Sequence, residues 1–166
     1  MRLSRAMIMW AALALVAAMG FSSWAAASEV LEAKWLPGPE QAAQGRSYSL
    51  ALQLNIVAGM HINADQPDDP NLIPTQVSFT APPGMSLAQA VFPRAKLVKL
   101  GFAEKPLPVL DGVVLLKTVL RVGEGVKPGL YQLSARVSYQ GCNNEVCLMP
   151  ESQEVSLTVK VVSAGR

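Results

Sequence analysis

The sequence is poor in the residues from which most active sites are built. Its 166 residues include two cysteines and one histidine; aromatic residues make up 6% and charged residues 16%. A single histidine, His61, rules out a multi-histidine metal centre. No Ser-His-Asp set, phosphate-binding loop or paired-carboxylate site can be assembled from the remaining residues. Helical periodicity is also missing: after residue 27 no segment keeps a 3.6-residue apolar period over ten residues. Twelve prolines and twelve glycines argue further against long helices.

The chain starts with an export pattern. Arg2 and Arg5 precede an uncharged run from Ala6 to Phe21, and Ala25-Ala26-Ala27 offers small residues to a signal peptidase. A basic start, an apolar middle and a small-residue cut form a secretory signal peptide over residues 1–27. An uncleaved anchor is the alternative, but a spanning helix needs about 20 apolar residues, and this run is shorter. No cysteine lies near the cut to carry a lipid. The mature chain would be residues 28–166, the size of one domain. Without Arg2 and Arg5, the remaining 12 basic residues balance the 12 acidic ones. No basic face is implied, so a nucleic-acid partner has no electrostatic support. No later segment is long and apolar enough to embed the mature form in a membrane.

What is present reads as strands and turns. Tyr48, Leu50, Leu52, Leu54 and Ile56 alternate with Ser49, Ala51, Gln53 and Asn55, the period of a strand with one buried face. Tyr131 to Tyr139 and Val155 to Val161 repeat it. Val113 to Val122 is a longer apolar run broken by Lys117 and Arg121. Gln76 to Thr80 and Leu87 to Phe92 are shorter strand candidates. Pro37-Gly38-Pro39, Ala81-Pro82-Pro83-Gly84, Gly123-Glu124-Gly125 and Lys127-Pro128-Gly129 punctuate these runs. The fold class is therefore all-β, an immunoglobulin-like β-sandwich. His61 to Pro74 is the longest stretch without a pattern.

Chemistry concentrates in Tyr139-Gln140-Gly141-Cys142-Asn143-Asn144-Glu145-Val146-Cys147-Leu148-Met149-Pro150. Cys142 follows one strand and Cys147 precedes the next, so a tight connection can bring the thiols together. An exported compartment lets a disulfide persist. Closing so short a loop stabilises by only about 2 kcal/mol in the chain-entropy model, and short accessible disulfides tend to be labile. Spacing alone leaves a structural staple and a redox tool both open. The loop holds no Lys, Arg or His, and Glu145 disfavours a thiolate. Such a pair suits a relay whose partner supplies the driving force.

These residues resemble a known family. The Tyr-Gln-Gly-Cys lead at 139–142 and Cys-Leu-Met-Pro at 147–150 resemble the signature of the N-terminal periplasmic domain of the thiol:disulfide interchange protein DsbD. Gly59-Met60-His61-Ile62-Asn63-Ala64 and Leu72-Ile73-Pro74-Thr75 resemble a second stretch of that domain. The likeness extends over roughly Val30 to Val162.

The resemblance implies thiol–disulfide exchange in the periplasm. Cys147 would attack the partner and Cys142 would resolve the mixed disulfide. Tyr139, Gln140, Phe102 and His61 would be supporting residues, with Phe102 as the counterpart of an aromatic cap over the cysteines. No cofactor is implied, because the pair is itself the redox group. Electrons would come from a thioredoxin-like domain or a DsbD/CcdA-type membrane transporter. They would pass to a periplasmic disulfide isomerase or a cytochrome-maturation thioredoxin. Family members continue into membrane helices and a thioredoxin-like domain; ending at Arg166, this chain would be a stand-alone version. It also has one residue fewer between its cysteines than the enterobacterial form.

Two readings from other classes stand beside this one: an immunoglobulin-like binding module with an inert disulfide, and a copper-handling protein. For the second, four of the seven methionines (Met1, Met7, Met9 and Met19) leave with the signal, and one Cys-x4-Cys pair with a distant His61 falls short of a zinc set. A hydrogen-bonded loop role suits His61 better than a ligand role. Asp65, Asp68 and Asp69 lack the spacing of a calcium loop. Arg94, Lys96 and Lys99 form a solvated basic face, and Trp35 a packing anchor. Tyr139 is placed to pack against the disulfide.

Overall fold

The computed structural model describes residues 30–165; the signal-peptide expectation for residues 1–27 lies outside them. The described residues form twelve strands and no helix. One of the long ones, β9 (Val113–Val122), shows why the chain prefers sheet. Val114, Leu116, Thr118, Leu120 and Val122 are buried, while the five residues that alternate with them, from Val113 to Arg121, are exposed. An apolar run of this kind still has two faces, because successive side chains leave a strand on opposite sides.

The strand order identifies the architecture. One sheet runs β1 (Leu31–Trp35), β3 (Ser47–Ile56), β9, β6 (Met85–Leu87). A second runs β2 (Ala42–Ala43), β12 (Glu151–Val162), β10 (Gly129–Tyr139), β5 (Gln76–Thr80). Setting aside the strands of a third sheet, the first order is A-B-E-D and the second contains C-F-G, the two sheets of an immunoglobulin domain. All pairings in these two sheets are antiparallel except the short β2–β12 contact.

The core lies between the two sheets. Leu52, Leu54 and Leu116 from the first meet Ala135, Val137 and Tyr139 from the second. Leu50 and Leu120 meet Leu133 and Val159 toward the other end. Trp35 bridges the layers as the expected anchor: its ring lies 5.8 Å from Phe79, and its Nε1 donates to the Val155 carbonyl at 3.3 Å.

A third sheet sits at one end: β11 (Gly141–Cys142), β4 (His61–Asn63), β8 (Leu107–Leu110), β7 (Lys96–Val98). It grows from the end where β3 and β10 finish and β9 begins. This sheet changes two expectations. His61 to Pro74 is not wholly irregular, since its first three residues are β4. Cys142 does not lie in a bare turn but in β11. Every residue of β4 and β8 is buried. Strands covered on both faces show no alternation, which hid them.

Leu87 to Phe92 is not one strand. β6 ends at Leu87, Ala88 still donates to the Val119 carbonyl at 3.0 Å and accepts from Thr118 Oγ1 at 2.6 Å, and strand pairing with β9 resumes at the Val91–Lys117 bridge.

Leu116 is 1% exposed at the centre of the core. Leu116→Ala should destabilise the fold by about 3 kcal/mol, measured by urea unfolding. Leu130→Ala, at a side chain 73% exposed, should change stability by less than about 0.5 kcal/mol.

Candidate functional site

β10 delivers the cysteines. After Tyr139 the chain leaves the sandwich, and Gly141 and Cys142 pair with Ile62 and His61 of β4. Gly141 allows this approach: a Cβ there would meet the Val30 side chain at 2.7 Å. The chain then turns through Asn143-Asn144-Glu145-Val146 and returns beside itself. Asn143 N–H donates to the Val146 carbonyl at 2.9 Å and Leu148 N–H to the Gly141 carbonyl at 2.8 Å. The Asn143 side chain pins the turn by accepting from Glu145 and Val146 N–H, both at 2.8 Å.

That pattern makes Cys142 and Cys147 a non-hydrogen-bonded antiparallel pair, the position where facing Cα atoms come closest. Their Cα atoms are 4.0 Å apart and the sulfurs are bonded. The two cysteines are not equivalent. Cys142 is 0% exposed, whereas Cys147 is partly open to solvent. The expectation of a near-surface pair thus holds for Cys147 alone, because β4 and the third sheet cover Cys142.

Register fixes which face carries the pair. On β4, Ile62 points into the main core, while His61 and Asn63 point the other way; on β8, Leu110 points in and Val109 out. Cys142, opposite His61, shares the outward face. A small apolar cluster of Leu100, Leu107 and Val109, with Leu72, Val98 and Ala103 against it, covers part of that face.

The segment after β7 reaches the cysteine turn. Gly101 N–H donates to the Asn144 carbonyl at 3.0 Å, and a Cβ on Gly101 would meet that oxygen at 2.8 Å. The Lys99 ammonium, bonded to the Ala103 and Glu104 carbonyls, ties down the far side of this loop. Phe102 rides on it, 44% exposed. The loop that carries Phe102 thus touches the cysteine turn through Gly101 and Asn144.

Gln140, expected as a supporting residue, forms a brace with Asn63, which sequence reasoning did not assign. Asn63 Nδ2 donates to the Ile73 carbonyl at 2.9 Å and to Gln140 Oε1 at 3.3 Å. Gln140 Nε2 donates to the Leu148 carbonyl at 3.1 Å, next to Cys147. Thr75 Oγ1 donates to the Asn63 carbonyl at 2.5 Å. One polar chain thus connects β4, the 72–75 loop and the residue after Cys147. Its sequence traces were Gln140 in the cysteine motif and the polar Asn63 between Ile62 and Ala64. Tyr139 lies in the main core, and its hydroxyl donates to Glu151 at 2.9 Å.

His61 departs from expectation. It lies on a strand, is 7% exposed, and its Nε2 is buried with no hydrogen-bond partner. It lines a shallow cleft of about 360 Å³ with Met60, Lys96 and Asp111. Burial pushes the imidazole below its ordinary value of 6.5, against the opposing pull of the Asp111 carboxylate. Among the described residues no group of three or more His, Cys, Asp or Glu side chains converges to hold a metal. No helix there is long and apolar enough to cross a membrane.

The family model for the N-terminal region of thiol:disulfide interchange protein DsbD matches residues 32–159. The chain belongs to this family. The DsbD N-terminal family is one of thiol–disulfide interchange, and its match takes in both cysteines and the brace behind them. Among solved structures, the N-terminal periplasmic domain of ScsB from Proteus mirabilis aligns with a TM-score of 0.52 at 11% identity, covering 80% of this chain and 47% of that one. This likeness supports the shared fold. The reduced DsbD N-terminal domain of Neisseria meningitidis aligns with a TM-score of 0.45 at 16% identity, covering 76% of this chain and 86% of that one. No curated protein matches the chain in sequence.

Two outcomes follow from this geometry. Gly101→Ala should push the loop off Asn144 and raise the rate at which dithiothreitol reduces the disulfide several-fold; an unchanged rate would show that the loop does not shield it. The His61 shift also has a definite sign. Its folded-state value is lowered, so the unfolded chain binds more protons and stability falls as pH drops through 6.5. Urea midpoints at pH 7.5 and 5 should therefore differ more for the wild type than for His61→Phe.

Proposed function

We propose that this domain is a periplasmic thiol–disulfide relay in which Cys147 exchanges with partners and Cys142 resolves. The observation that carries this reading is the unequal burial of the two sulfurs. A partner's sulfur can reach the partly exposed Cys147, whereas Cys142 is closed to solvent. Exchange proceeds by thiolate attack through a mixed disulfide. In the reduced form Cys147 attacks a partner disulfide, and Cys142 then displaces the reduced partner as the internal disulfide closes.

The surroundings of Cys147 suit a protein partner. Val146, Leu148 and Met149 are 51%, 37% and 82% exposed, and Phe102 and Ile73 lie exposed on the two loops tied to the site. An apolar rim around a reactive sulfur suits the flat apolar surface of a thioredoxin-like domain. The proposed donor is such a domain or a DsbD/CcdA-type membrane transporter. The proposed acceptors are a periplasmic disulfide isomerase or a cytochrome-maturation thioredoxin. The export pattern at the N-terminus and the family membership support the periplasmic setting.

The deciding measurement is the reduction potential of the pair in glutathione or dithiothreitol buffers. Exchange-active pairs lie at about −120 to −270 mV and structural disulfides below about −300 mV; a value in the lower range would make this a binding module with a staple. Cys142→Ser should accumulate a mixed disulfide with a thioredoxin-like partner, and Cys147→Ser should accumulate none.

A further inference from the structure

Cys142 has to lose a proton before it can resolve, and it is the more buried of the two thiols. Burial in apolar surroundings raises a thiol's pKa. No water-exposed base reaches a side chain that is 0% exposed. The groups that can serve it are those on its own sheet face.

One such group is adjacent. Cys142 and His61 are direct partners across β11 and β4, and directly opposed side chains share a face with Cβ atoms about 4.5–5.5 Å apart. One step beyond the Ile62–Leu110 pair, Asp111 falls opposite His61 and lines the same cleft. Four residues thus form a row across neighbouring strands: Cys147, Cys142, His61, Asp111. The His61 Nε2 is buried and unpartnered. An orphaned buried polar atom costs about 1–3 kcal/mol, so its retention at this position calls for a use.

We infer that His61 is the proton acceptor for Cys142 in the resolving step, with Asp111 as the positioning residue that steadies the imidazolium. The inference rests on the interchange reading above. The step balances as follows. In the mixed disulfide between Cys147 and the partner, the Cys142 thiol passes its proton to neutral His61. The Cys142 thiolate then attacks the Cys147 sulfur. The Cys142–Cys147 bond forms as the bond between Cys147 and the partner breaks, and the partner sulfur leaves as a thiolate. The cysteine pair is oxidised by two electrons and the partner disulfide is reduced. The proton leaves His61 through the open cleft.

The charged and titratable groups facing His61 are consistent with this part. Lowered basicity keeps the ring neutral, and so able to accept, near pH 7. Asp111 opposes that shift and favours the ring once protonated. Lys96, from β7, is ion-paired with Asp111. A Cys-His-Asp order of this kind activates thiols on unrelated folds. Here it serves the resolving sulfur and leaves the attacking one to its partner.

The test uses the reduced mature protein with dithiobis(nitrobenzoate), whose coloured thiolate is released once when Cys147 attacks and again when Cys142 resolves. His61→Gln should slow the second release about 100-fold at pH 7, the low end of what a positioned base supplies, and leave the first unchanged. In the wild type the second rate should fall at an inflection below 6.5, absent from His61→Gln and moved lower by Asp111→Asn. An unchanged second phase in His61→Gln overturns the inference. So does a wild-type second phase that follows hydroxide with no inflection, and that profile decides the matter if the variant fails to fold. If both thiolates are released but the second is indifferent to His61, interchange stands and the role of His61 falls. If the folded wild type releases neither, the interchange reading falls with it.

Discussion

Two residues of β11 paired with two of β4 hold the site together. Gly141 and Cys142 oppose Ile62 and His61, and without that contact the cysteine turn would be an ordinary hairpin loop beyond the end of the sandwich. The pairing buries one sulfur and leaves the other partly open. It also sets the turn within reach of the Gly101 amide and places Gln140 beside Asn63. Each depends on backbone passing very close to other atoms, which the absent side chain of Gly141 permits. An immunoglobulin sandwich supplies the rigid ends from which these strands extend, but neither of its sheets contains the site.

The legibility of the chain follows from burial on one face or two. β3, β10 and β12 each have one face in the core, so their alternation could be read directly, and with them the fold class; β9, whose exposed face carries Val113, Leu115 and Val119, read only as an apolar run. β1 was equally legible, with Leu31 and Ala33 buried and Glu32 and Lys34 exposed, but five residues ending at a Pro-Gly-Pro turn drew no notice. In the third sheet β11, β4 and β8 are covered on both faces and short, and β7 has only three residues. His61-Ile62-Asn63 mixes a base, an aliphatic and an amide, all buried, and no period separates them. The cysteine pair was visible as a motif. Its asymmetry was not, because that comes from strand pairing across 81 positions of sequence.

The charge argument drawn from the loop alone was sound and incomplete. The turn carries Glu145 and no cation, so nothing in it favours a thiolate at Cys147. Pairing then adds one histidine, but on the side of Cys142 and in a site that disfavours its charge. A cation beside Cys147 would lower its pKa and also its nucleophilicity. A neutral base behind Cys142, the part proposed for His61, would change neither and would act only when a proton has to move.

That separation bears on how a β-sandwich can do exchange chemistry at all. A helix N-terminus, which activates thiols in many oxidoreductases, is not available here, since no described residue is helical. In the proposed relay, activation of the attacking sulfur would come from the partner, whose docking on the apolar rim would exclude water from Cys147. The domain's own contribution to that relay would be order in time: the more open sulfur meets the partner first, and the buried sulfur closes the disulfide second. A short hairpin disulfide stabilises the fold by only about 2 kcal/mol, so the sandwich core can hold the fold in either redox state. Opening and closing that bond then changes the hairpin and leaves the rest of the molecule as a fixed frame.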